Sequence, residues 1–143
     1  MTTELDAFRD KFQVPQLTVT ETVHWVLSVR PQQVTLGSMV LSAKRNVLSF
    51  AELTETQSRD MAKLLGEAER RVKTGWGAVR INVLCLMMKD PLLHFHIFPR
   101  YDCPVVFAGE EWRDADWPGP PQLRPTDERP EVNQALHDAL RKL

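Results

Sequence analysis

Apolar residues at helical spacing predict two of the helices in this chain. A short N-terminal helix is predicted over residues 4–12 and should end before Pro15, which cannot continue it. A longer helix is predicted from Thr54 to about Lys73, because Thr54 and Gln57 occupy the positions of a capping box. The apolar stripe of this longer helix consists of Met61, Leu64, Leu65, Ala68 and Val72.

Four segments have the patterns of β-strands. In residues 23–29 every odd position is apolar (Val23, Trp25, Leu27 and Val29), which is strand periodicity, and a second strand is predicted over about residues 35–43. The segment RINVLCLMM (residues 80–88) is a continuous apolar run, which predicts a central strand buried on both faces. KDP (residues 89–91) separates it from LLHFHIF (residues 92–98), so these two segments are predicted to form an antiparallel hairpin.

The order of these elements predicts an α+β fold with an antiparallel sheet, because strands and helices do not alternate regularly. The C-terminal part holds most of the prolines, including WPGPPQLRP, and is predicted to wrap the rest irregularly. Pro130 is well placed to begin a last helix. We interpret residues 1–143 as one domain, with a core over about residues 20–103 and a C-terminal wrap and helix over residues 104–143.

Composition and charge narrow the classes of function. Lys and Arg number 18 and Asp and Glu 19, which gives a net charge of -1. Nucleic acid polymers normally require a basic stripe, so a small anion is the better candidate ligand. No apolar run is long enough for a membrane helix, and MTTELDAFRD is unlike a secretory signal. Cys85 and Cys103 have no metal or redox spacing, so we predict a cytoplasmic protein with no membrane partner.

His94 and His96 are the candidate site residues. Because side chains alternate along a strand, the two imidazoles should share a face with Phe98, while the opposite face is wholly apolar. In the register predicted for the hairpin, Asn82 lies opposite Phe98 on that same face. Lys89, in the turn, is placed to reach toward the same end. Two imidazoles, an amide and a cation suit the binding of a phosphate group.

The pattern alone leaves two other interpretations of His94 and His96. They can be polar residues on a half-exposed strand face, or they can bind zinc or copper, for which His-x-His is a familiar arrangement. A metal site needs a further ligand, and the nearby candidates are Asp90 and Cys85, of which Cys85 points to the opposite face. We therefore predict a phosphate-binding site without a metal or other cofactor.

The stretch LLHFHIFPRY (residues 92–101) resembles the signature of the histidine triad superfamily, His-φ-His-φ-His-φ-φ-Pro-Arg, where φ is apolar. His94 takes the middle position and His96 the third, and Leu92 stands at the first. The segments LGSMVLSAKRNVLSFAELT, INVLCLMMKDP and FAGEEW with DWPGPP are similar to a bacterial branch described as diadenosine tetraphosphate hydrolase-like.

The resemblance implies a compact α+β fold, a homodimer, and hydrolysis or transfer of nucleotidyl groups on a small nucleotide substrate. His94 would attack the α-phosphate and form a nucleotidyl-histidine, with its other nitrogen held by a main-chain partner. His96 would donate to a phosphate or leaving oxygen, and Asn82 would contact the phosphate or nucleotide. Dinucleoside polyphosphates and nucleoside phosphoramidates are the substrate classes that the resemblance suggests.

Three departures from the family pattern motivate an alternative function. Leu92 replaces the first histidine, and Lys89 lies in a turn where many relatives have Gly and Gln. The acidic residue that commonly holds the ribose is replaced by RPQQ (residues 30–33). The alternative is a nucleotide-binding protein on the same fold that has lost activity, and a metal-binding His-x-His protein is the third hypothesis.

Overall fold

The computed structural model describes residues 3–143, which form four α-helices and seven strands. In chain order these are α1 (Glu4–Lys11), α2 (Val14–Leu17), β1 (Thr18–Glu21), β2 (Trp25–Val29), β3 (Met39–Ala43), α3 (Glu55–Trp76), β4 (Arg80–Leu84), β5 (His94–Arg100), β6 (Val105–Phe107), β7 (Glu110–Trp112) and α4 (Pro130–Lys142), with a 3-10 turn at Phe50–Glu52.

The main sheet is antiparallel, with the strand order β1-β2-β3-β5-β4. Helix α3 packs against one face, where the indole N–H of Trp25 donates to the carbonyl of Gln57 at 2.7 Å. The aromatic rings of Phe8 in α1 and of Phe12 just after it lie against the opposite face of β5, and α2 and α4 pack beside β1 and β2. The predicted α+β fold, with one long helix and short terminal helices, is confirmed.

The long helix begins as its sequence predicts and ends slightly later than expected. The Thr54 hydroxyl accepts from the Gln57 N–H at 3.2 Å, and the Gln57 side chain accepts from the Thr54 N–H at 2.9 Å. These two bonds satisfy N–H groups that the first turn leaves free. The helix extends three residues past Lys73 to Trp76. It stops at Gly77, whose φ of 72° is a left-handed conformation that glycine adopts without strain.

The prediction of a central, fully buried strand over residues 80–88 is wrong. Strand β4 spans only Arg80–Leu84 and lies at the edge of the sheet, and its Val83 side chain is 40% exposed. The strand buried on both faces is β5, which pairs with β3 on one side and β4 on the other. Residues 85–93 form the connection, which is longer than the three-residue turn expected from residues 89–91.

The C-terminal part is anchored to the sheet through Arg100, at the end of β5. Its guanidinium binds both carboxylate oxygens of Asp114, at 2.6 and 3.1 Å, and donates to the Gly119 carbonyl at 2.7 Å. Helix α4 begins at Pro130, as predicted, and contributes Leu136 to the core that also includes Phe8 of α1. Among the helices of the described residues, none has the length and apolar character needed to cross a membrane.

Candidate functional site

Strand β5 places the two histidines side by side on one face of the sheet. His94 lies opposite Ser42 and His96 opposite Val40 on the neighbouring strand β3. Their ring centroids are 4.9 Å apart, and the residues are 2% and 8% exposed. The pair is therefore buried, which rules out the half-exposed polar face considered from the pattern.

The surroundings of His94 determine which of its ring nitrogens carries the proton. Its Nδ1 lies 2.6 Å from the carbonyl oxygen of Leu92. A carbonyl only accepts hydrogen bonds, so Nδ1 must be the donor and Nε2 of the neutral ring keeps a free lone pair. Burial lowers the pKa of His94, although the bond to the Leu92 carbonyl opposes that shift. His94 is thus neutral, with Nε2 available as a nucleophile, at neutral pH.

His96 has the opposite arrangement. The Nε–H of Arg30 donates to Nδ1 of His96 at 3.2 Å, so the neutral ring carries its proton on Nε2. Burial, followed by the charges of Arg30 and His94, lowers the pKa of His96 to about 3. His96 is therefore a neutral hydrogen-bond donor through Nε2 across the physiological pH range.

A cavity of about 490 Å³ opens over the two imidazoles, within the size range of small-molecule sites. Its basic lining residues are Lys11, Arg30, Lys89 and Arg124, and its acidic ones are Asp90 and Glu128. Lys11 pairs with Asp90 at 2.8 Å, and Arg124 pairs with Asp116 outside the cavity at 3.0 Å. Because basic groups outnumber acidic ones, the lining favours an anionic ligand.

Two aromatic rings from the N-terminal segment close one side of the site. The Phe8 ring lies 4.7 Å from the His94 ring, and Phe12 lies 6.1 Å from His94 and 5.9 Å from His96, between ring centroids. Phe12 also lines the cavity. These rings exclude water from one side of the imidazoles, which accounts for part of their desolvation.

Solved structures with the same architecture are histidine triad proteins. One from Bradyrhizobium japonicum matches 88% of this chain and 88% of its own at 19% identity, with a TM-score of 0.67. One from Marinobacter aquaeolei matches 93% and 91% at 17% identity, with a TM-score of 0.72. A hypothetical histidine triad nucleotide-binding protein from Sulfolobus tokodaii matches 97% and 89% at 16% identity, with a TM-score of 0.72. The chain has the histidine triad fold. No protein-family model and no curated protein match the sequence.

Three of the four predicted site residues meet in one cavity of this histidine triad fold. His94, His96 and the exposed Lys89 all line it. Asn82 lies opposite Phe98, so the register predicted for the hairpin is confirmed. The expected convergence of Asn82 with the histidines, however, does not occur.

The Asn82 side chain instead lies beyond Phe98, at a separate depression. Its Oδ1 accepts from Nη1 of Arg100 at 2.7 Å, and its Nδ2 donates to the Ile81 carbonyl at 3.2 Å. The Phe98 ring stacks beside His96, with 6.1 Å between the ring centroids, whereas the Asn82 side chain is held by Arg100. A role for Asn82 in binding substrate stays a prediction.

Sequence reasoning missed Arg30 and Lys11 as residues of the cavity. Arg30 follows directly after β2 and has the same parity as Ser28 and His24, so alternation alone put it on the face of the sheet that carries the histidines. Lys11 belongs to a helix whose docking against β5 no local pattern shows. Lys11 therefore depends on the tertiary structure, whereas the parity of Arg30 is a signal in the sequence that could have placed it at the site.

Trp112 and Trp117 line other depressions than the histidine cavity.

Across residues 3–143, no group of three or more His, Cys, Asp or Glu side chains is arranged to hold a metal ion. Within that range, the third ligand that a His-x-His metal site requires is not supplied.

Proposed function

We propose that this chain is a nucleotide hydrolase or nucleotidyl transferase of the histidine triad type, acting through a covalent nucleotidyl-His94. The observation that carries the proposal is the contact between His94 Nδ1 and the Leu92 carbonyl, which leaves Nε2 as a free nucleophile. The fold supports it, since its solved neighbours include a protein described as nucleotide-binding. On the motif residues, we favour the diadenosine tetraphosphate hydrolase-like branch.

In the proposed reaction, Nε2 of His94 attacks the α-phosphorus of a bound nucleotide, and water or another acceptor then resolves the nucleotidyl-histidine. His96 donates its Nε2–H to a phosphate or leaving oxygen. Lys89, at the cavity wall, supplies a cation for the phosphates. Asn82 would touch only a part of the ligand that extends beyond Phe98. Dinucleoside polyphosphates and nucleoside phosphoramidates are the candidate substrates, and the location we propose is cytoplasmic.

The test is intact mass spectrometry after brief mixing with a panel of nucleotidyl substrates. The wild-type protein should gain an acid-labile adduct of one nucleotidyl group, and His94→Ala should not, while retaining its circular dichroism spectrum. His24→Ala is the matched control, because His24 lies outside the cavity, and it should still form the adduct. An adduct that persists in His94→Ala would overturn the assignment of the nucleophile.

Leu92 supports a second candidate, a nucleotide-binding protein that has lost activity. Its side chain is fully buried and offers no polar group where the family pattern has a histidine. Under this hypothesis, nucleotides bind to the cavity with no adduct and no product after prolonged incubation. The same mass measurement, combined with calorimetric binding, separates the two candidates.

We also propose that the protein is a homodimer, joined along the open edge of β4. Edge strands present unpaired N–H and C=O groups and are usually covered or paired. Val83 on this strand and Leu86 and Met88 just after it are 40%, 48% and 81% exposed. This apolar edge supports pairing with a second copy of the chain.

A further inference from the structure

Arg30 is a largely buried cation without a carboxylate partner among the described residues. Its Nε donates to His96, and its Nη1 donates to the carbonyl of Gln32 at 2.7 Å. Burial lowers the pKa of its guanidinium, and no acidic group offsets that shift. A buried charge normally requires a partner, because removing it from water is costly. The cavity that Arg30 lines is where an anionic ligand would supply that partner.

Arg30 stands out from the other cations of the cavity. Lys11 is neutralised by Asp90, and Arg124 by Asp116, whereas Lys89 is an exposed turn residue. Among these basic residues, Arg30 is the one that donates a hydrogen bond to a site histidine. Its positive charge is therefore held, desolvated, beside the group that the proposed reaction places at the phosphate.

The charge state of His96 bears on which leaving groups the site can release. An amine that departs from phosphorus must be protonated, whereas a phosphate departs as an anion and needs only compensation of its charge. Burial lowers the pKa of His96 to about 3, so at physiological pH the neutral ring can donate a hydrogen bond but has no additional proton to transfer to a departing amine. The fixed positive charge of Arg30 suits the departure of a phosphate, whose negative charge it can compensate.

Building on the proposed function, we propose that Arg30 is a specificity-determining residue that makes the site prefer substrates with an anionic leaving group. Nucleoside polyphosphates, which break a phosphoanhydride bond, would thus be favoured over nucleoside phosphoramidates, which release an amine.

The proposed reaction consists of two displacements at the α-phosphorus. The lone pair of His94 Nε2 forms a bond to the α-phosphorus, and the bond from phosphorus to the bridging oxygen breaks, with its electron pair leaving on the departing phosphate. No proton moves in this step, since the proton stays on Nδ1 of His94, which donates it in a hydrogen bond to the Leu92 carbonyl. Water then bonds to phosphorus, the P–N electron pair returns to Nε2, and one water proton passes to solvent.

The experiment compares both substrate classes in Arg30→Gln, Arg30→Lys and a control, Arg113→Gln. Arg113 lies outside the cavity with 69% of its side chain exposed, so its loss removes the same charge elsewhere. Arg30→Gln should lower kcat/KM for a dinucleoside polyphosphate about 100-fold and should lower the phosphoramidate value by a much smaller factor, because only the anionic leaving group gains from the fixed charge. Arg30→Lys keeps the charge and should recover part of the preference. Arg113→Gln should match wild type with both substrates.

A binding measurement separates failure of this inference from failure of the proposed function. Inorganic pyrophosphate, a probe of the leaving group alone, should bind by calorimetry and lose about tenfold or more in affinity in Arg30→Gln. Equal losses of kcat/KM with both substrate classes, or unchanged pyrophosphate affinity, would overturn the role of Arg30. Turnover of neither class by the wild-type protein would instead sink the proposed function, while the pyrophosphate result would still test Arg30 as an anion-binding residue.

Discussion

The two site histidines hold opposite tautomers because their Nδ1 atoms face opposite kinds of partner. The carbonyl of Leu92 accepts, so the ring of His94 exposes a lone pair, and the guanidinium of Arg30 donates, so the ring of His96 keeps an N–H. A free ring lone pair and an N–H donor are therefore held on neighbouring imidazoles. The partner of His94 is main-chain, so replacing a motif histidine by Leu92 leaves this polarity intact.

The low pKa of His96 predicts that stability declines as the pH falls below about 6.5. The unfolded imidazole takes up a proton near pH 6.5, whereas the folded state holds the pKa at about 3. The unfolded state thus binds more protons between these values, and this contribution is fully present above about pH 6.5 and is lost toward pH 3. The slope from His96 approaches about 1.4 kcal/mol per pH unit.

Urea unfolding between about pH 7 and pH 5, where most carboxylates remain charged, measures this slope. His96→Gln is the reference, because its amide does not titrate, and its stability should depend less steeply on pH. The free energy of unfolding of His96→Gln should still depend on pH, but less steeply, because burial also lowers the pKa of His94. Equal slopes for the wild type and the variant would show that His96 is not held neutral by the fold.

At the level of elements, the sequence predicted what depends on neighbouring residues. The capping box places the start of α3, and the two-residue alternation with the KDP break sets the register that pairs Asn82 with Phe98. The position of β4 in the sheet was not predictable in this way. An apolar run is compatible with a central strand and with an edge strand that a second copy covers, and only the strand order distinguishes them.

The anchoring of the C-terminal segment to β5 predicts a large difference between two ion pairs. The side chains of Arg100 and Asp114 are 3% and 1% exposed, so Asp114→Asn leaves a buried guanidinium without its counter-charge. We expect a loss of about 3–5 kcal/mol in the free energy of unfolding. Glu111→Gln breaks the exposed pair with Arg113 and should cost at most about 1 kcal/mol.

Urea unfolding of the two variants under the same conditions checks this difference. Asp114 also accepts from the N–H of Tyr101, at the end of β5, so its loss should release the segment that follows. Faster amide exchange in residues 105–119 than in α3 would locate the effect. Similar losses for both substitutions would mean that burial does not strengthen the Arg100 pair.

At the scale of the whole molecule, the site is assembled from segments that are distant in sequence. Phe12 and Lys11 come from the N-terminal part, Arg30 from the end of β2, the histidines from β5, and Arg124 from the C-terminal wrap. Sequence patterns identified the histidine strand because its chemistry is contiguous. Apart from Lys89, they did not identify the surrounding cations, since each of these is an ordinary surface residue until the chain folds.

The open edge of β4 is the surface on which the proposed homodimer depends. If two copies pair there, a lysine at position 83 would lie close to the same lysine of the second copy, and burying either charge in the interface would be costly. Val83→Lys should therefore convert the dimer to a monomer. Val83 is 40% exposed in the single chain, so the substitution should leave the monomer folded. Val106→Lys is the matched control, because Val106 is also an exposed strand valine, at 74%, but lies in the separate β6–β7 hairpin.

Sedimentation velocity measures the outcome directly. The wild-type protein and Val106→Lys should sediment as dimers, and Val83→Lys as a monomer with an unchanged circular dichroism spectrum. A wild-type monomer at all concentrations would refute the homodimer. A dimer that survives Val83→Lys would place the interface on another surface, leaving the exposed side chains of Leu86 and Met88 to be explained by a different partner.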